Sequence, residues 1–297
     1  MTVTALRPHT FATLQVFKPG RSGEAAGTGV NPNSDLCVVL AEGRSHFQQP
    51  PSHAIVVLPL RGNVRIDNSE GSLHLGPQQL YVGESGRSME LSTTSAGAWI
   101  GILASDSAWT RLGRIGTPSG LPVLPALPAL HPATPQRRRV LAELLQRLAD
   151  VPTPGLREND ALELGSLIEN LQARFLPEID RCPGRTFARR LNTFSRLQRV
   201  RNHIESRPSA GTQLQQLARL ANYSPCHLVR AFADAFGETP YALLSRVRLE
   251  SAVDMLEQHR LAVSDVASVC GFESRTAFSR AFKRHFGISP SGLQAAG

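Results

Sequence analysis

Two arginines sit in matching surroundings fifty residues apart. Arg280 lies in SRAFKRHFG (279–287) and Arg230 in VRAFADAFG (229–237), and each glycine is followed three residues later by Pro290 or Pro240. A guanidinium is a planar fork of donors that fits the O6 and N7 acceptors of guanine. Near Arg280 stand Arg275, Thr276, Ser279 and Lys283, cations and hydroxyls suited to phosphates and base edges. Near Arg230 stand Cys226, Val229 and Ala233, which leave Arg230 as the main cation and offer Val229 to a thymine methyl. At 100° per residue, Phe278, Ala281, Phe282 and Phe286 gather within about a third of the circle, and Leu228, Ala231, Phe232 and Phe236 do the same. The shared letters predict two buried faces. The differing letters, Ser279 against Val229 and Lys283 against Ala233, predict two reading faces.

Such faces need a frame. Ala218, Ala221 and Tyr223 match Ala267, Cys270 and Phe272 at an offset of 49, while Arg230 to Pro240 match Arg280 to Pro290 at an offset of 50. Each unit reads as a short helix, a tight turn and a longer helix ending at glycine, the helix-turn-helix pattern. Ala218 and Ala267 let the paired helices approach, and Tyr223 and Phe272 plug the turns. Thr212 with Gln215 reads as a capping box, and Ser264 as a second cap. The segment 240–258 reads as one helix of about 28 Å at 1.5 Å per residue. Successive major-groove faces lie about 34 Å apart, so such a helix would set two heads on one side of DNA. Charge agrees with this. Residues 181–297 hold 17 Lys and Arg against 8 Asp and Glu, and residues 1–180 hold 15 against 16, so the whole surplus of the +8 chain lies in its C-terminal part. That asymmetry points to an acidic polymer, nucleic acid first.

The stretch from about 194 to 295 closely resembles the AraC-type transcription regulators. The landmarks are Arg248-Leu249-Glu250, Ala267, Gly271-Phe272, Phe278-Ser279-Arg280, Phe282-Lys283, Phe286-Gly287 and Ser289-Pro290. The resemblance implies seven helices, with recognition helices over 225–236 and 274–286. It places base contacts on Cys226, Val229, Arg230, Arg275, Thr276, Ser279 and Arg280, and the outward Lys283 joins them as a DNA-binding candidate. The expected partners are double-stranded promoter or operator DNA, a small-molecule effector on the N-terminal part, a second copy in a homodimer and, for an activator, RNA polymerase.

Residues 10–105 read as short apolar or alternating strands punctuated by Gly, Asn, Asp, Pro and Ser, an antiparallel sandwich or barrel. This part resembles the cupin-like sensor domain common in that family. The predicted fold class is therefore α+β and multidomain. A cupin-like β-domain spans 1–115, a proline-rich connector and helical hairpin span 116–187, and an all-α double helix-turn-helix domain spans 188–297. Residues 116–135 hold six prolines, with Leu121, Leu124, Leu127 and Leu130 at every third position. A polyproline II segment would put those leucines on one face, as a stiff connector on something apolar. Residues 151–155, VPTPG, read as the break between two helices. Val140, Leu141, Leu144, Leu145 and Leu148 form the stripe of the first, and Leu164, Ile168, Leu171 and Phe175 that of the second. The stripes fit an internal core and a dimer interface alike.

The rival from another class is a metal-dependent cupin enzyme fused to a DNA-binding domain, with His46, His53 and His74 as ligands. Against it, no His-x-His occurs and no His lies between His74 and His131. Neither a nucleophile–base pattern nor G-x-S-x-G stands out, so no enzyme, metal or cofactor is expected. Arg61, Arg65 and Arg87 are candidates for receiving an anionic effector. The four cysteines, Cys37, Cys182, Cys226 and Cys270, lie far apart, which fits a reducing compartment; Cys226 falls on an outward face, where a thiol is open to oxidation. The N-terminus lacks a signal-peptide core, and no run of 18 apolar residues occurs. The expectation is a cytoplasmic protein with no membrane partner.

Overall fold

Alternating apolar residues set the architecture of the N-terminal part. The computed structural model describes residues 14–17, 31, 33–68, 71–94, 96–118, 120–149, 156–206, 213–258 and 261–296. The chain divides into two compact units, Met1–Leu176 and Pro177–Gly297. The first holds strands β1 (Leu14–Phe17), β2 (Leu36–Glu42), β3 (Ser45–Gln49), β4 (His53–Arg61) and β5 (Val64–Asn68). It continues with β6 (Gly71–Leu75), β7 (Gln79–Gly83), β8 (Met89–Thr93), β9 (Ala98–Ser105) and β10 (Ala129–Pro132). One sheet has the order β1-β2-β9-β4-β7-β10 and the other β3-β8-β5-β6. Neighbours run antiparallel except β1 and β2, which are parallel.

Side chains of the larger sheet alternate between two apolar layers. Cys37, Val39, Ile55, Val57 and Trp99 face the smaller sheet and meet its Phe47, Ile66 and Leu91. The rings of Phe47 and Trp99 lie 5.7 Å apart, edge to face. On the opposite face, Leu36, Val38, Val56, Leu58 and Ile102 meet helices α1 (Asp106–Gly116), α2 (Pro135–Ala149) and α3 (Glu158–Gln172). Both faces of the central strands are thus covered, which is why their sequences read as continuous apolar runs.

Helix α1 was not legible in the sequence. It starts at Ser105, whose Oγ accepts the Ala108 N–H at 3.2 Å. It crosses α3 at two glycines so closely that a Cβ on Gly116 would lie 2.1 Å from the Gly165 carbonyl carbon. The α2 and α3 stripes are spent inside this layer: Leu141, Leu144, Leu145, Leu148, Leu164, Ile168 and Leu171 are all buried in it. Val140, assigned to the first stripe, is exposed instead. Arg147 joins the helices through Asp160 at 3.2 Å and through Glu163.

The proline-rich stretch departs from the expected polyproline connector. Leu124 and Leu127 are buried but Leu121 is exposed, and from Ala129 the chain pairs with β7 as an edge strand. Pro132 is tolerated there because an edge strand leaves one side of its backbone unpaired. The Trp109 indole donates to the Leu124 carbonyl at 3.1 Å, and the Leu127 N–H donates to Gln172 Oε1 at 3.0 Å. These bonds tie the stretch between α1 and α3. The expected break at 151–155 lies outside the described residues.

The second unit follows α4 (Leu176–Arg181) with α5 (Phe187–Ser206), α6 (Leu214–Ala221), α7 (Pro225–Phe236) and α8 (Pro240–Gln258). It ends with α9 (Val263–Val269), α10 (Arg275–Phe286) and α11 (Pro290–Ala296). From α5 onward these are the seven helices expected, counted among the described residues. Helix α8 serves both halves: Leu243 and Leu244 are buried near its start, where it packs on α5 and α7. Leu249, Ala252 and Leu256 join the core of Val266, Phe278 and Phe282.

Two caps fall elsewhere than expected. Thr212 lies outside the described residues; α6 is capped by Gln213, whose N–H donates to Gln216 Oε1 at 3.5 Å. Ser264 sits inside α9, whose N-cap position is Ala262, and its hydroxyl donates to Asp265 Oδ1 at 3.3 Å. Among the described residues no helix is long and apolar enough to cross a membrane.

Candidate nucleic-acid interface

The two repeats are built alike down to their turns. Asn222 at φ 56° and Gly271 at φ 73° take the left-handed conformation between the short and the long helix. The next residue closes each turn: the Tyr223 N–H donates to Ala218 O at 2.8 Å, and the Phe272 N–H to Ala267 O at 3.0 Å. A serine then starts each long helix. Ser224 Oγ accepts the His227 N–H at 3.4 Å, and Ser274 Oγ accepts the Ala277 N–H at 3.1 Å. Gly237 at φ 77° and Gly287 at φ 78° end them, a backbone that L side chains adopt only under strain. This is the physical reason for the repeated Phe-Gly.

The inward faces carry Leu228, Ala231 and Phe232 in α7 and Phe278, Ala281 and Phe282 in α10, all buried. Phe236 and Phe286 are only half-buried, against the expectation. They stand at the helix ends, where the core thins, and lean on neighbouring rings. Phe236 lies 4.6 Å from Phe232 and 5.9 Å from Phe194, and Phe286 lies 4.6 Å from Phe282. Ala235, not singled out from the sequence, is fully buried in α7.

On the outward face of α10, Arg275, Thr276, Arg280 and Lys283 are exposed and Ser279 is half-buried. These five, with Ser289, line one shallow open concavity. Ser289 was missed, though Ser289-Pro290 just past the helix-ending glycine carries a helix-start signature. Its Oγ accepts the Gly292 N–H at 3.0 Å and caps α11. On α7, Cys226 and Arg230 are exposed and Val229 is half-buried. The sulfur at Cys226 is the exposed one of the four; Cys37, Cys182 and Cys270 are buried, and burial pushes the Cys37 and Cys182 thiols up to about 12.

Other cations of this unit hold the frame. Arg246 pairs with Glu238 at 2.8 Å and Glu250 at 3.1 Å; the hydrogen bond to Glu238 leads in raising its pKa, against burial. Arg248 donates to the Gly271 carbonyl at 2.9 Å, and Arg181 donates twice to the Ala235 carbonyl, at 3.0 and 2.7 Å. By contrast, Arg230, Arg275, Arg280 and Lys283 form no ion pair with a described residue. The outward faces therefore present charge that no acid among the described residues pairs with.

The candidate residues of the first unit are not brought together. His46 on β3 and His74 on β6 are exposed, on the smaller sheet, while His53 begins β4 in the larger one and is buried. The His53 ring is committed to Ser52 Oγ at 2.9 Å and Ser34 O at 2.8 Å. Among the described residues, no three His, Cys, Asp or Glu gather as metal ligands. Arg65 pairs with Asp67 at 2.8 Å and Arg87 with Glu84 at 3.1 Å, while Arg61 is exposed at the end of β4.

Comparison with known proteins matches residues 217–296 to the helix-turn-helix domain family. The probable transcriptional regulator LumQ of Photobacterium leiognathi is 30% identical over 95 residues, 32% of this chain and 38% of its own. The chain thus spans little more than a third of the length of such relatives. The probable transcription factor PqrA of Proteus vulgaris is 32% identical over 87 residues, 29% of this chain and 71% of its own. The DNA-binding domain of AdpA, solved in complex with a target DNA, shares 30% identity over 34% of this chain and 90% of its own, with a TM-score of 0.32.

Proposed function

This chain belongs to the AraC-type family of helix-turn-helix transcription regulators, and on that premise we propose that it is a sequence-specific, DNA-binding regulator whose single copy reads two adjacent major grooves. One observation carries the reading: two matched helices bury their apolar faces, and their outward cations have no acidic partner among the described residues. In α10, Arg280 forks onto guanine, Ser279 and Thr276 meet base edges, and Arg275 and Lys283 hold phosphates. In α7, Arg230 is the corresponding fork, and Val229 and Cys226 offer apolar contact to thymine methyl groups. Backbone N–H groups at the starts of both helices add phosphate donors.

The N-terminal unit we read as a cupin-like sensor for a small-molecule effector, supported by its two sheets packed across one apolar layer. The regulator we read as a homodimer that assembles through surfaces other than the buried α2 and α3 stripes, and RNA polymerase as its partner where it activates. The test is selection from a random duplex pool with the full chain. Enriched sequences should hold two short elements about one helical turn apart, roughly 10 base pairs. A pool that stays random after repeated rounds would sink the reading.

A further inference from the structure

We propose that a basic stripe along α5 grips the DNA backbone beside the groove read by α7 and supplies the charge that α7 lacks; this rests on the DNA-reading function proposed above. Between residues 181 and 204 the chain holds seven arginines and no Asp or Glu. Three of the seven are spent internally. Arg181 donates to the Ala235 carbonyl, Arg190 pairs with Asp180 at 3.2 Å, and Arg201 pairs with Glu178 at 3.1 Å. Arg189, Arg196 and Arg199 recur with Asn192 at spacings of three and four, within an arc of about 80° on a helix of 100° per residue. Phe194, Leu197 and Ile204 on the other side are buried.

The stripe has no acid among the described residues to neutralise it. Arg189 and Asn192 are exposed, Arg196 and Arg199 half-buried. Arg189, Asn192, Thr193 and Arg196 line a shallow open groove with Pro183 and Gly184. That groove runs on to α7 through stacked rings. The Arg196 guanidinium lies 5.9 Å from the Tyr223 ring centroid, and Tyr223 lies 4.3 Å from the His227 imidazole in the first turn of α7.

The occupant follows from charge. On its outward side α10 carries Arg275, Arg280, Lys283 and Arg284, whereas α7 carries Arg230 with the exposed Asp234 four residues on. A duplex held by α10 alone would leave the α7 groove weakly anchored. Guanidiniums in a row bind phosphates bidentately, and Arg196 of this row lies against Tyr223, just ahead of α7.

The test uses the full chain, a labelled mixed-sequence 30-base-pair duplex and a duplex from the random-pool selection, titrated between 50 and 200 mM salt. Each phosphate contact contributes about 0.9 to the slope of log affinity against log salt. Arg189→Gln with Arg196→Gln should flatten the slope by roughly 2 on both duplexes while sequence preference survives. Arg196→Lys removes the stacking on Tyr223 but keeps the charge, so it should retain the wild-type slope. A wild-type slope in the double variant, with binding still steeply salt-dependent, overturns the α5 contact and leaves the DNA reading standing; a stripe that instead serves an acidic protein gives this result. An equal loss in the Lys and Gln forms of Arg196 also overturns it, because Arg196 would then act only through Tyr223. If the double variant melts early, Arg189→Gln alone is read, with an expected flattening of about 0.9. Salt-insensitive wild-type binding would overturn both the contact and the function beneath it.

Discussion

Replacing Arg280 by alanine separates reading from holding. Arg280 is exposed and forms no ion pair with a described residue. Its loss should therefore leave folding intact, within about 0.5 kcal/mol as for most surface substitutions. On the proposed function, what it removes is one bidentate base contact, about 1–3 kcal/mol of discrimination. Affinity for the preferred duplex should fall about 5- to 150-fold at fixed salt. The loss should also be selective. On duplexes substituted one base pair at a time, the variant should stop distinguishing the base pair that Arg280 contacts and keep its preferences elsewhere. The assay is fluorescence anisotropy on that duplex panel, with a thermal melt beside it. Phe282→Ala is the contrast: Phe282 is fully buried between Phe278 at 5.5 Å and Phe286 at 4.6 Å. Its truncation should cost about 3–5 kcal/mol of stability and weaken all sequences alike. If Arg280→Ala weakens every duplex equally, Arg280 only holds phosphates. If it discriminates like the wild type, the outward face of α10 does not face bases.

Two further perturbations test the first unit. Gly165→Ala would place a Cβ 2.5 Å from the Leu112 carbonyl oxygen, so the α1–α3 crossing should open at a cost of about 1–3 kcal/mol; an unchanged melting temperature would refute that crossing. His131 is buried 5.9 Å from the Phe175 ring, and burial, with Arg174 and Arg137 adding, pushes its pKa down to about 3. The unfolded chain binds this proton near pH 6.5, so between about 6.5 and 3 it binds more protons than the folded one. Stability should then be lost as pH falls through that window. His131→Leu should flatten the acid limb of melting temperature against pH, and parallel curves for variant and wild type would count against the buried neutral imidazole.

The C-terminal frame was largely visible in the sequence because each of its landmarks has a strict physical job. Gly237 and Gly287 need left-handed backbone, Ala218 and Ala267 accept the carbonyl-to-turn bond under close packing, and the phenylalanines fill one face. Helix α8 could be bounded at Pro240 because proline suits a first helical turn. What stayed hidden depends on partners distant in the chain. Nothing local in Asp106–Gly116 marks a helix more strongly than a loop; its Gly116 makes sense only against Gly165 of α3, and its Gly113 only against Val123. The pairing of Ala129–Pro132 with β7 is likewise nonlocal, so a leucine every third residue misled where Leu127 gives way to a strand. The α2 and α3 stripes were correct as apolar faces, yet periodicity cannot say whether a face meets its own chain or another. The apolar layer of the larger sheet answers that. For the interface, outward residues followed from angle, whereas Ser289 needed the turn after α10 to bring it into the concavity that α10 lines.

Helix α8 has a consequence for how this protein can change. Its early leucines belong to one half of the reader and its later ones to the other. The phase between the two halves is therefore written in a residue count. Adding or removing one residue in the middle of α8 would turn the second half by about 100° and shift it by about 1.5 Å. Each half could keep its own core, but the two heads would no longer face the same side of a duplex. Substitutions on the outward faces can alter which bases are preferred, one side chain at a time. The length of α8 admits no such gradual path, so it acts as the fixed gear on which any new specificity must be cut.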